Sequence, residues 1–170
     1  LSGDRAYQFL VSGHALGVLG EWDLAVEAFR NAIAGRFNYA EAWAWLGEAE
    51  QQLGQDGYFE IEQALTYGPE SAMVLGLYGL YLQRQGQPEL ALAAFHEAAD
   101  LEPDNPAWQM GLGSASEQTG NLVAAYGYYF HAVELAPADA STWRALVAFS
   151  VTNDVDVDVT GLPSALKLVG

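Results

Sequence analysis

Apolar residues return along this chain at three- and four-residue steps, in runs bounded by Gly and Pro. Two such runs are GQPELALAAFHEAADLEP, Gly86 to Pro103, and GNLVAAYGYYFHAVELAP, Gly120 to Pro137. Gly86, Ala91, Ala98, Leu101 and Pro103 come back 34 residues later as Gly120, Ala125, Ala132, Leu135 and Pro137. A fixed period of that length is the signature of stacked helical hairpins. With Gly as the stop and Pro as the terminator, the pattern predicts helices over about 6–19, 22–34, 40–53, 57–67, 72–85, 88–101, 106–119, 122–135 and 140–151.

Each recurring residue type has a physical task in such a hairpin. Gly47, Gly79 and Gly113 fall inside helices, where Gly costs roughly 1 kcal/mol relative to Ala, so close packing there must outweigh the loss. Gly54, Gly86 and Gly120 fall where the first helix of each pair ends, and can adopt the left-handed cap conformation. Pro69, Pro103 and Pro137 end the second helix, because the residue before a proline is pushed out of the α region. Aromatic residues fill the holes between neighbouring pairs.

Aligned on its glycines, the chain resembles the tetratricopeptide repeat family over about residues 6–150. That family places a large aromatic at position four, Gly at eight and fifteen, Ala at twenty, an aromatic at twenty-four, Ala at twenty-seven and Pro at thirty-two. Phe9, Trp43 and Trp143 match the fourth position; Gly13, Gly47, Gly79 and Gly113 match the eighth. Gly20, Gly54, Gly86 and Gly120 match the fifteenth, and Ala25, Ala91 and Ala125 the twentieth. Phe29, Phe95 and Tyr129 match the later aromatic, and Ala32, Ala64, Ala98 and Ala132 the twenty-seventh. The resemblance implies an all-α fold, a right-handed α-solenoid of antiparallel helix pairs with four full repeats and a partial fifth. We expect a lead-in at 1–5, repeats near 6–39, 40–71, 72–105, 106–139 and 140–152, and an irregular tail at 153–170. Two departures stand out: Phe37 replaces the proline of repeat 1, and repeat 2 is two residues short between Gly54 and Ala64. In the tail, DVDVDV alternates as an extended segment would, and PSALKLV could open a short helix at Pro163.

Composition narrows the partners. With 22 acidic against 6 basic residues the formal charge is −16, and the bases form no run, so nucleic acid and anionic membrane surfaces are disfavoured. There is no cysteine, hence no disulfide or thiolate chemistry. The longest uncharged run, Gln118 to Val133, is too short to span a bilayer and is broken at Gly120-Asn121. Lacking an initiator Met and a signal peptide, the sequence is expected to be a piece of something longer.

Candidate chemistry is sparse, and we expect neither catalysis nor a cofactor or metal. His14, His96 and His131 lie in different helices, the latter two as ordinary outer-face residues. Asp154, Asp156 and Asp158 have the spacing that opens a calcium loop, but Val159 stands at the turn glycine and Ala165 at the bidentate glutamate. Gly13-x-x-x-Gly17 reads as close helix packing.

In the family, the concave wall comes from positions two, five, six, nine, twelve and thirteen of each first helix. Carried over residue by residue, the resemblance implies a peptide-binding face that includes Leu10, His14, Trp45, Glu48, Gln52, Met73, Leu77, Leu80, Arg84, Met110, Gln118 and Arg144. Its apolar members among amides would suit an extended or helical protein segment. The family branch that clamps chaperone C-terminal tails uses Lys and Asn where this chain has Leu10, His14 and Trp45, and a basic pair where it has Met73 and Leu77; that clamp is absent. The expected function is a non-catalytic scaffold that holds a peptide segment of a protein partner. Two rivals remain open: a substrate-recruiting arm of a larger enzyme, as in repeat-bearing glycosyltransferases, and homo-oligomerisation through exposed terminal repeats. For the latter, Trp143, Leu146 and Phe149 are expected to lack a full covering helix.

Overall fold

The computed structural model describes residues 4–157. Among the described residues there are nine α-helices and no strand: α1 (Arg5–Val18), α2 (Trp22–Gly35), α3 (Ala40–Gln52), α4 (Tyr58–Tyr67), α5 (Ala72–Arg84), α6 (Pro88–Leu101), α7 (Pro106–Gln118), α8 (Leu122–Leu135) and α9 (Ala140–Asn153). Every boundary falls within two residues of the sequence expectation. The fold class is an all-α helical repeat. The PSALKLV and Asp158 readings fall outside the described residues; residues 155–157 are neither helix nor strand.

The chain divides into two compact units, Leu1–Tyr81 and Leu82–Gly170. In the first, α1 pairs with α2, α2 with α3, and α3 with α4. Their shared core includes Phe29, Trp43, Leu46 and Val74, with Trp22, Trp45 and Leu80 packed at its margin. In the second, α6 packs on α7, α7 on α8, and α8 on α9, the last pair around Tyr129, Val133, Trp143, Leu146 and Phe149. Burying a large side chain of this kind contributes about 1.5–3 kcal/mol, so most of the stability resides between helices rather than within them.

Two turn designs recur. After the first helix of each pair, Gly20, Gly54, Gly86 and Gly120 stand at φ between 71° and 79°. The next N–H in each case donates back to a carbonyl five residues earlier: Glu21 to Leu16, Gln55 to Glu50, Gln87 to Leu82, Asn121 to Ser116. This is the Schellman closure, which satisfies carbonyls that the helix end would otherwise orphan. After the second helix, the cap N–H of Arg36, Gly68, Glu102 and Ala136 donates to Ala32, Ala64, Ala98 and Ala132, all fully buried. Side-chain caps then start the next helices: Asn105 accepts from Ala107 at 3.0 Å, and Asp139 from Ser141 at 2.8 Å.

The two departures in the sequence acquire structural reasons. Phe37 sits edge-on to Trp43 and Tyr67, with both centroid distances 5.7 Å, and its carbonyl accepts the Trp43 indole N–H at 2.7 Å. At the start of the fifth repeat the Pro137 carbonyl does the same for Trp143 at 2.9 Å. The shortened turn of repeat 2 works because Gly57 has φ 69° and lies so close to Gly47 that a Cβ on Gly57 would fall 2.5 Å from the Gly47 carbonyl oxygen. Only glycine tolerates both conditions.

One expectation is corrected in part. Trp143, Leu146 and Phe149 are buried, because α9 turns them toward α8, where the Phe149 and Tyr129 rings meet at 5.5 Å, although no helix follows α9 among the described residues.

Candidate functional site

In the first unit the site residues lie on α1, α3 and α5. On α1, Tyr7, Val11 and Val18 are exposed, Val18 to 78 %, and His14 lies exposed between them at the same helical spacing. Leu10 is half-buried beside them. On α3, Trp45, Glu48 and Gln52 follow at three- and four-residue steps, which places them on one face. The His14 and Trp45 rings meet edge-on, centroids 4.7 Å apart and planes at 74°. Trp45 also lies nearly parallel to Phe29 at 6.3 Å.

A cavity of about 220 Å³ opens here, lined by Gly13, His14, Gly17, Val18, Trp22, Phe29 and Trp45. Two glycines let the rings approach it. A Cβ on Gly13 would meet the Phe29 ring at 2.5 Å, and one on Gly17 would meet Trp22 at 2.8 Å, so α2 presses its aromatic rings onto α1. Trp22 and Gly17 line this cavity, although the carried-over positions did not include them. The Gly13-x-x-x-Gly17 spacing was the available signal, since a window of small residues exposes whatever ring lies behind it.

Elsewhere on this wall the side chains divide by depth. Met73 and Leu80 are half-buried against the core. Leu77, expected on the open face, is 3 % exposed and belongs to the core with Val74. Glu48 is 5 % exposed and its carboxylate accepts the Gln52 side-chain amide at 2.8 Å, whereas Gln52 itself is exposed. Glu41 accepts the Ser71 hydroxyl at 3.1 Å. The wall is therefore an aromatic and aliphatic floor edged by amides and carboxylates.

The second unit carries the remaining residues on the last turn of α5 and on α7 and α9. Arg84, Gln118 and Arg144 are exposed and Met110 is half-buried. Gln83 donates to the Ser114 hydroxyl at 3.0 Å, and Glu117 accepts from Tyr129 at 3.2 Å and from Asn153 at 2.6 Å. The Glu117 bonds tie α7 to α8 and α9 and fix its carboxylate. Burial, then the Glu117 charge, pushes the Tyr129 hydroxyl well above the usual phenol range, so it remains a donor throughout the accessible pH range.

Among the described residues no group of three His, Cys, Asp or Glu is placed to hold a metal ion. His96 lies 3.3 Å from the Tyr128 hydroxyl and His131 lies 3.4 Å from Glu134, both at exposed positions. No helix among the described residues is long and apolar enough to cross a membrane.

Comparison with known proteins agrees with the helical repeat fold. A family model described as tetratricopeptide repeat matches residues 10–56 and 78–140. No curated protein sequence matches the chain. Among solved structures, PilW, described as a widely conserved type IV pilus biogenesis factor, superposes with a TM-score of 0.80 at 19% identity, covering 99% of this chain and 81% of that one. PilF from Pseudomonas aeruginosa gives 0.72 at 22% identity, covering 88% and 69%. A thermophilic protein of the same repeat class from Thermus thermophilus gives 0.57 at 21% identity, covering 86% and 99%. At these identities the likeness concerns the fold.

Proposed function

The chain belongs to the tetratricopeptide repeat family, and from that premise we propose that it is a non-catalytic scaffold holding a peptide segment of a partner protein against its first helices. The family fold supports a protein-interaction scaffold. The finer reading rests on one observation: His14, Trp45 and Trp22 surround an open apolar cavity at a place where a solvated face would carry polar side chains.

In the first unit the ligand face consists of Leu10, His14, Trp45, Gln52, Met73 and Leu80. Leu77 and Glu48 support it from beneath, since both are buried. The second unit offers Arg84, Met110, Gln118 and Arg144 on its own first helices. An aliphatic side chain of the ligand fills the cavity, while the Gln52 amide offers donor and acceptor to a peptide backbone. Positive charge in the ligand is favoured by the excess of acids, 22 against 6 bases. Oligomerisation through the terminal repeats is compatible with this reading.

The test is selection from a random peptide display library, run against the native chain and against Leu10→Asp. Peptides enriched by the native chain and lost with the variant, with the helical circular dichroism signal retained, support the assignment. Identical peptides from both proteins would sink it.

A further inference from the structure

Helix α9 ends as the first helices of the four preceding pairs end. Asp154 is left-handed at φ 54°, 34 residues after Gly120 at φ 79°. It is the one non-glycine residue with positive φ among those described. The Val155 N–H donates to the Ser150 carbonyl at 3.0 Å, the same five-residue closure seen at Glu21, Gln55, Gln87 and Asn121. By its cap and its closure, α9 is a complete first helix, set for a second helix to lie against it.

Its eighth position differs from those of its predecessors. Gly13, Gly47, Gly79 and Gly113 hold that position in repeats 1 to 4, and all are buried. In the fifth repeat it is Val147, which is half-exposed, and Ser150 is half-exposed where Ser116 is 2 % exposed. The residues that follow Asp154 do not start a helix in register: α2, α6 and α8 each begin two residues after their left-handed glycine, whereas Asp156 and Val157 are non-helical. Instead Val155 and Val157 pack against the edge of the α8–α9 core.

The neighbouring helix offers the second half of a seat. His96 of α6 meets Tyr128 of the next second helix, rings 5.9 Å apart. The residue 34 positions after His96 is Phe130, which is exposed and stacks on Tyr126 at 6.0 Å. Next to it, Leu122, Val123, Tyr126 and Val155 surround an open cavity of about 250 Å³, and Val123 is 86 % exposed.

We propose that α9 and the Tyr126–Phe130 strip of α8 form a docking seat for an amphipathic helix of a partner protein, which completes the fifth repeat in trans. The seat inverts the knob and the hole of the earlier pairs. In repeat 4 the Tyr129 ring sits so close to Gly113 that a Cβ there would lie 2.8 Å from it. Val147 carries that Cβ and two methyl groups besides, so a ring in the equivalent place would clash. The bound helix therefore sets Ala or Gly over Val147 and places its larger aliphatic side chains on the Leu122, Val123 and Tyr126 cavity. Asp154 and Asp156, both exposed at the edge of the seat, favour Lys or Arg at its flanks. This seat is independent of the peptide face proposed above.

The experiment uses the full chain and two Lys-flanked synthetic peptides carrying the Pro88–Leu101 second-helix sequence, one native and one with Phe95→Ala. Fluorescence anisotropy should show the Ala peptide binding about tenfold tighter than the Phe peptide. In Val147→Gly, which makes room for a ring, that preference should reverse, and in Val147→Ala, which keeps the helix propensity of α9, it should shrink. Circular dichroism confirms that each variant keeps its helices. Equal affinity for the two peptides, or a preference unchanged in both variants, would overturn the proposal. So would binding that emerges only after residues 158–170 are deleted, since the chain's own continuation would then be the natural occupant.

Discussion

The His14 imidazole meets the edge of the Trp45 indole 4.7 Å away, joining two first helices at a point open to solvent. Trp45 is anchored from behind by Phe29, while no second ring supports His14 among the described residues. The pair thus has a structural member and an accessible one. His14→Ala should lower stability by no more than about 1 kcal/mol, the worth of one exposed aromatic contact, measured by urea denaturation. A loss of several kcal/mol would make His14 a packing residue and remove it from the ligand face.

Two glycine-to-alanine changes should have opposite signs. At Gly13 the added Cβ lies 2.5 Å from the rigid ring of Phe29, which packs in the core. Overpacking of that kind costs about 1–3 kcal/mol and outweighs the helix-propensity gain. At Gly127 in α8 nothing lies within 4 Å, so only the gain remains and stability should rise by about 0.5–1 kcal/mol. Thermal unfolding of the two variants side by side decides the matter.

Asp139 provides a pH-dependent cap. Its hydrogen bond from the Ser141 backbone is the main cause holding its carboxyl below the ordinary value of 3.8, with Arg144 adding a smaller effect. A folded-state pKa that is depressed contributes stability above pH 3.8 and loses it as pH falls through the folded value. Asp139→Ala should therefore cost about 0.5–2 kcal/mol at neutral pH. Its deficit relative to the native chain should shrink in acid, as seen by comparing urea midpoints at neutral pH and in acid below the ordinary value of 3.8.

Asp154 occupies a conformation that glycine prefers, at φ 54°. Asp154→Gly should raise stability by up to about 1 kcal/mol, judged by the urea midpoint, because it relieves the left-handed strain without disturbing the Val155 closure.

The helices were legible because Gly and Pro punctuate them at a fixed period, and backbone rules of that kind act locally. Depth was not. The family position of Leu77 specifies a face of α5, but whether that face is covered depends on the helices around it, which no single helix encodes. Trp22 escaped because it reaches the cavity beside His14 from a second helix, through the gap left by Gly17. Asp154 was legible in principle, standing 34 residues after Gly120, yet the period-two alternation of DVDVDV pointed to an extended segment rather than to a helix cap. The cap becomes readable only when the repeat register is followed through the alternation.

Site-specific photo-cross-linking tests the central claim most directly. A photoreactive amino acid placed at position 14, beside Trp45, is compared with one at position 97, an exposed position on α6. Irradiation in the native host's lysate should give a discrete cross-linked partner from position 14 and none from position 97, and an excess of the library-selected peptide should abolish it. The same partner from both positions, or one from position 97 alone, would contradict the assignment of the first-helix face as the ligand surface.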